Sequence, residues 1–179
     1  LIPNLSASLA QARGLRDAYR AIGLVSADSD DLTYLALDEA TKSANVEVVY
    51  ARSLYAGAAN ATTALAGEVI GVLAGPTPAE VASGLRRVEQ FLAHGAAFES
   101  ASPDDRVVYL AHCVARTGPY LAGLAGVAVG EALAYLIAPP VEALAGLDAA
   151  LQAPAAATDP VFRPPTAANL PRRPSPRTH

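Results

Sequence analysis

The chain reads as a mixed α/β (α+β) protein made of two tandem copies of one small unit, each a short sheet flanked by helices. Three observations predict this. The first is internal similarity that keeps its order along the chain. Ser26-Ala27-Asp28-Ser29-Asp30-Asp31 recurs 74 residues later as Ser100-Ala101-Ser102-Pro103-Asp104-Asp105. Tyr34-Leu35-Ala36 returns as Tyr109-Leu110-Ala111, Gly67-Glu68 as Gly130-Glu131, and Gly84-Leu85 as Gly146-Leu147. Gly75-Pro76-Thr77-Pro78-Ala79-Glu80 is answered by Ala138-Pro139-Pro140-Val141-Glu142, and the offset falls from 74 to 62, so the second copy is shorter in its middle. The second observation is an alternation of short β-rich runs with segments of helical spacing. The third is a set of helix-start signals placed between them.

Each copy is expected to run strand, helix, strand, strand, helix. In the first, residues 22–25 form a strand that ends at the acidic turn. Asp30 or Asp31 caps a helix over 32–42, where a carboxylate satisfies free amides and the positive dipole end. The β-branched, alternating stretch 46–53 predicts a strand, 56–63 a loop and 68–73 a second strand. Thr77, Pro78 and Glu80 make a capping-box pattern opening a helix over 79–93, with Val81, Leu85, Val88 and Leu92 on one side. The second copy starts near Ala96, with a helix over 107–117, a strand over 132–137 and a helix over 141–151. The domain boundaries follow: 1–93, 94–153, and a tail, 154–179, that holds seven of the chain's 14 prolines and reads as extended or disordered.

Composition excludes several function classes. With 52% apolar and 17% charged residues in 179, a real core is expected. A balance of 13 basic to 17 acidic side chains gives a net charge of -4, which argues against a nucleic-acid partner or an anionic membrane surface. Cys113 is the single cysteine, so no internal disulfide or multi-thiolate site forms, and a reducing cytosol suits the chain. The opening lacks a basic start followed by an unbroken apolar stretch, so no signal peptide is expected, and a first residue Leu1 suggests a trimmed start. The longest apolar run, 120–140, is broken by Glu131 and falls short of the roughly 20 strongly apolar residues of a membrane span.

Little in the sequence points to catalysis. His112 and Cys113 are the only His/Cys neighbours; on the expected helix they point about 100° apart and form no nucleophile–base pair. His94 ends a helix and suits its negative end. The three histidines have no metal-binding spacing, and no cofactor motif is present. Residues 67–80 look like strand, glycine turn and helix, but lack the Gly-Lys-Ser/Thr ending of a phosphate loop. The acidic set Asp28, Asp30 and Asp31, with Glu68, has two readings: a solvated turn with a helix cap, or a carboxylate-lined pocket for a small cation beside an aromatic such as Phe98 or Tyr55. Spacing alone leaves both open.

Longer strings carry a resemblance. Gly23-Leu24-Val25-Ser26-Ala27-Asp28-Ser29-Asp30-Asp31, Val46-Glu47-Val48-Val49-Tyr50-Ala51-Arg52-Ser53-Leu54-Tyr55-Ala56-Gly57-Ala58, Ala93-His94-Gly95-Ala96-Ala97-Phe98 and Tyr135-Leu136-Ile137-Ala138-Pro139-Pro140 resemble the shell proteins of the ethanolamine-utilisation bacterial microcompartment. The resemblance runs from about Leu1 to Leu151 and implies two tandem, circularly permuted bacterial microcompartment (BMC) domains. It also implies a homotrimer that mimics a hexamer and tiles with other shell proteins, in the cytoplasm at the microcompartment shell. The implied role is transport control and not catalysis, with a gated central pore and smaller pores that bind ethanolamine. Carried over by motif, the ethanolamine-binding positions are Asp30, Asp31, Glu68 and Phe98, and Tyr55 and Phe98 are candidates for pore-occluding loops. Two alternatives stand beside it: a propanediol-type shell tile, and a small-molecule-binding enzyme that uses the acidic turn. Similar proteins continue past residues 148–151 with a further strand and an apolar helix, whereas here the end looks truncated or out of frame.

Overall fold

The computed structural model describes residues 1–12, 14–53, 69–104 and 106–152. After a short helix α1 (Ala7–Ala12), strand β1 (Ala21–Ala27) leads into helix α2 (Asp30–Ser43), then β2 (Glu47–Ser53), β3 (Val69–Gly75) and helix α3 (Pro78–His94). These three strands form an antiparallel sheet of order β1-β3-β2. Alternation along β3 sends Gly71, Leu73 and Gly75 to the face covered by both helices. Leu37 of α2 sits over Gly71, and Val81 of α3 sits over Gly75, each where a Cβ would stand under 3 Å away. In the opposite sense Leu73 reaches toward Gly84 of α3. Small residues opposite large ones bring the helices down onto the sheet at interior packing density.

The helix starts follow the capping rules, with two corrections. Ser29, and neither Asp30 nor Asp31, caps α2: its backbone is extended (φ -123°, ψ 122°) and its Oγ accepts from Leu32 N at 3.4 Å. The cap must be the last non-helical residue, and the aspartates already lie in the first turn. Thr77 caps α3 as expected, accepting from Glu80 N at 3.2 Å, with Pro78 first in the helix. Glu80 does not close the box: its Oε2 accepts from Asn45 N at 2.7 Å, tying α3 to the turn between α2 and β2.

The second half corrects the expectation more sharply. Residues 107–117, read as a helix, contain strand β5 (Val108–Val114), which pairs antiparallel with the short β4 (Glu99–Ser100) on one side and β6 (Leu133–Ile137) on the other. Leu110 and Val114 are buried on one face while Ala111 and Cys113 are exposed on the other, a period of two. The likeness of Tyr109-Leu110-Ala111 to Tyr34-Leu35-Ala36 misleads, since the earlier string lies on α2 and the later one on β5. A helix that the sequence reading omits, α4 (Pro119–Ala125), follows β5, and α5 (Pro140–Gln152) follows β6. The later repeat matches do hold position: Pro78 and Pro140 each open the helix that leaves a strand. In element order, β5–α4–β6–α5 parallels β1–α2–β3–α3 with β2 left out.

One core joins the two sheets. Leu35, Ala36, Leu37 and Ala40 of α2 cluster with Leu73 of β3, Val88 and Phe91 of α3, and Leu110, Val114 and Leu121 from the second half. A buried carboxylate crosses the same seam. Asp38 of α2 accepts from Gly118 N at 2.7 Å and Leu121 N at 2.9 Å, capping α4 from outside. Among the described residues no helix is long and apolar enough to cross a membrane.

Candidate ligand site at the acidic turn

β1 delivers the chain to the turn at Asp28, which is exposed, and α2 begins at Asp30. Asp30 and Asp31 are both half-buried at the positive end of α2, where unpaired amides favour negative charge. Asp30 Oδ1 accepts from Asp31 N at 2.9 Å. Asp31 Oδ1 accepts from the Tyr135 hydroxyl of β6 at 2.9 Å, so the turn is tied to the second sheet. Tyr34, one turn along α2, lies 6.3 Å from the ring of Tyr120 on α4, tilted by 54°. Among the described residues, neither aspartate has a Lys or Arg within ion-pair distance.

The electrostatics follow from that arrangement. Burial raises the Asp31 carboxyl above its usual range, the Tyr135 hydrogen bond works against this, and the Asp30 charge adds to it. The Tyr135 hydroxyl is pushed far up, first by burial and then by the Asp31 charge. Tyr34 is also raised, by burial and then by Asp30, and Tyr120 by burial and then by Tyr34. Tyr34 and Tyr135 therefore stay neutral beside the two carboxylates, with Tyr120, also neutral, against Tyr34. Two half-buried carboxylates beside neutral phenols have the chemistry to hold a small organic cation.

Of the other expected positions, one is described. Phe98 lies between α3 and β4 and is 38% exposed. It precedes the far edge of the sheet that carries Tyr135, two strand spacings or about 10 Å across. Glu68 and Tyr55, and the loop expected over 56–63, lie outside the described residues, as do residues 153–179. His112 and Cys113 are on a strand, not a helix: the His112 ring meets Phe91 edge-on at 5.6 Å, and Cys113 points to the exposed face. His94 is the last residue of α3. Among the described residues no group of three or more His, Cys, Asp or Glu is placed to hold a metal ion.

A second charged cluster lies nearby. Glu39 of α2 accepts from Lys42 and, at 2.6 Å, from Arg87 of α3; Lys42 also donates to Arg116 O at 3.0 Å. Burial alone would raise Glu39, but the two cationic hydrogen bonds outweigh it and hold the carboxyl below its usual range. A groove of about 570 Å³ runs from this cluster past Phe91 and His94 to His112. Its charges are already matched to one another, so it offers less to an added ion than the acidic turn does.

Sequence reasoning missed Tyr135, Tyr120 and Asp38. The first two lie more than 80 positions from the turn, and only the fold brings them near it. Asp38 had a faint signal: it follows Leu35 by three positions, on the helix side that sequence periodicity buries.

Comparisons with known proteins fit this fold. Residues 21–100 match the BMC domain family. The chain is 56% identical over 170 residues to the bacterial microcompartment shell protein EutL of Clostridium perfringens (strain 13 / Type A), covering 95% of this chain and 78% of that one. The crystal structure of ethanolamine utilization protein EutL from Leptotrichia buccalis C-1013-b superposes with a TM-score of 0.78 at 58% identity, over 85% of this chain and 70% of that chain. The trimeric bacterial microcompartment shell protein PduB shares the fold alone, with a TM-score of 0.58 at 18% identity, over 78% of this chain and 59% of its own. The relatives are named as shell proteins and not as enzymes. A chain with this identity over this share of a relative, and with small antiparallel sheets flanked by helices, belongs to the EutL family of bacterial microcompartment shell proteins.

Proposed function

We propose that this shell protein tiles the ethanolamine-utilisation microcompartment as a trimer, with the acidic turn of each copy binding ethanolamine. The domain reading behind it places BMC units at 1–93 and 94–153, so that three chains make a six-lobed plate with a central opening. Association is supported by an apolar row on the outer face of the first sheet. Leu24, 55% exposed, and Tyr50, 42% exposed, flank Val72 in register across β1, β3 and β2. Apolar surface in such a row favours cover by another chain.

The observation that carries the ligand reading is the pair Asp30 and Asp31, half-buried, at a helix start and without a cationic partner among the described residues. Ethanolamine is protonated at neutral pH and gains from carboxylates at a constriction; a neutral aldehyde does not. Glu68 and Phe98 are proposed as further ligand-contacting positions, and Tyr55 and Phe98 as residues that occlude the central opening. Ligand binding shifts an open–closed balance only through unequal affinity for the two states. Identity of 56–58% to the ethanolamine-utilisation proteins favours this cargo over a neutral diol.

Two measurements test the proposal. Light scattering is expected to give three times the monomer mass of 18.3 kDa; a monomer at high concentration removes the plate. Calorimetric titration with ethanolamine is expected to show binding by the unaltered chain and none by the Asp30→Asn, Asp31→Asn double variant. Equal binding by both removes the acidic turn as the site.

A further inference from the structure

We infer that Tyr135 is a positioning residue for this cation site: its hydroxyl takes one oxygen of Asp31 and presents the other, together with Asp30, to the ligand. The inference rests on the reading of Asp30 and Asp31 as ethanolamine-binding, and adds a residue 104 positions away that no motif near the turn contains.

The geometry is specific. Tyr135 occupies the middle of β6, between Leu133 and Ile137, which pack against the core, and it is paired in register with His112 of β5. A ring anchored in a sheet fixes the direction from which its hydroxyl arrives. The bond at 2.9 Å therefore sets the rotation of the Asp31 carboxylate and leaves Oδ2 as the oxygen free of that bond.

The chemistry of the donor matters as much as its position. Lys or Arg at this place would orient Asp31 equally well, but would neutralise it and repel an ammonium group. A phenol donates one hydrogen bond and adds no charge. The groups facing Asp31 are Asp30 and Tyr34 from α2 itself and Tyr135 from β6, with Tyr120 of α4 behind Tyr34. Burial and Asp30 both favour protonation of Asp31; of these neighbours Tyr135 acts in the opposite sense and keeps the carboxylate charged for its cation.

The test is calorimetric titration of the full chain with ethanolamine from pH 5.5 to 8.5, for the unaltered protein, Tyr135→Phe and Asp31→Glu. Tyr135→Phe keeps the ring and loses the donor; Kd is expected to rise about 5- to 10-fold at pH 8, the size of one ordinary hydrogen bond, and further at pH 5.5. Asp31→Glu keeps the charge but moves the carboxylate away from the hydroxyl, and a comparable loss is expected. If Tyr135 only braces β6, Tyr135→Phe lowers the melting temperature yet leaves Kd equal to that of the unaltered chain at every pH, which overturns the inference. Binding by Asp31→Glu as tight as the original also overturns it. Absence of binding by the unaltered protein is a different failure: it removes the site itself, and the positioning role with it.

Discussion

Asp38 Oδ2 and the backbone amide of Gly118 meet at 2.7 Å across 80 residues of chain. The carboxylate is fully buried, and its other oxygen accepts from Leu121 N at 2.9 Å. Gly118 sits at the cap position of α4 and has no side chain to satisfy the free amides, so α2 supplies the acceptor from outside. Lys42, 3.5 Å from the same carboxylate, offsets its charge. The two halves are thus joined by buried polar bonds at Asp38 as well as by the apolar core, with the Tyr135–Asp31 and Lys42–Arg116 contacts beside them.

Removing that acceptor is expected to be costly. Asp38→Ala leaves two buried amides unpaired and Lys42 without one partner, and should lose about 2–4 kcal/mol of stability. Asp38→Asn keeps one acceptor but turns an NH2 toward the second amide, so it should fall only slightly short of that loss. Urea unfolding monitored by circular dichroism measures both. A loss under about 1 kcal/mol for Asp38→Ala would show that α4 does not depend on this cap.

The glycines of α4 should respond in opposite directions. A Cβ at Gly118 would stand 2.5 Å from Thr41 Oγ1 and 2.7 Å from Asp38 Oδ1, so Gly118→Ala must push the cap aside and is expected to cost about 1–3 kcal/mol. Gly123, inside the same helix, faces open space, and Gly123→Ala should gain about 0.5–1 kcal/mol from helix propensity. Thermal melts of the two variants side by side provide the check.

How far the sequence carries can be judged from these same residues. β1, α2, β2, β3, α3, β6 and α5 were legible because their signals are local: β-branched alternation, Thr77-Pro78 at a helix start, and apolar spacing. β5 was misread because three residues resembling part of α2 outweighed the alternation of Val108, Leu110 and Val114. α4 left a legible signal that went unused. Pro119 opens it, and Gly126, at φ 68°, closes it in the left-handed conformation that glycine tolerates. The acidic turn was visible as a cluster, and resemblance supplied the ligand proposed for it. Tyr135 and Tyr120 were not legible as its neighbours, since proximity across more than 80 residues is a property of packing and leaves no mark on spacing.

Glu39 predicts an acid limb in the stability curve. Its folded carboxyl titrates below the ordinary value of 4.5, so it contributes stability above that pH and loses it as pH falls through the lower, folded value. Glu39→Gln should therefore cost about 0.5–1 kcal/mol near neutrality, a modest figure because Arg87 is partly exposed to solvent. The gap between the variant and the original should close in strong acid. Urea midpoints at several pH values distinguish this from a gap that persists, which would mean that packing and not charge is lost.

Asp31 has the opposite sign, and so separates stability from ligand binding at one position. Its folded carboxyl titrates above the ordinary value of 3.8, chiefly through burial, so the associated stability is present below 3.8 and is lost as pH rises through the folded value. At pH 7 the ionised carboxylate is therefore a burden on the fold. Asp31→Asn removes the charge while Oδ1 still accepts from Tyr135. The melting temperature is expected to rise by about 1–2 °C at pH 7, damped by half-exposure, and to stay unchanged near pH 3. The same variant should bind ethanolamine at least about 10-fold more weakly, because a charge-assisted hydrogen bond to the ammonium is gone. Scanning calorimetry at the two pH values, with and without ethanolamine, reads both effects in one series. A lower melting temperature at pH 7 would show that the Asp31 charge is already matched within the fold and is not held in reserve for a cation.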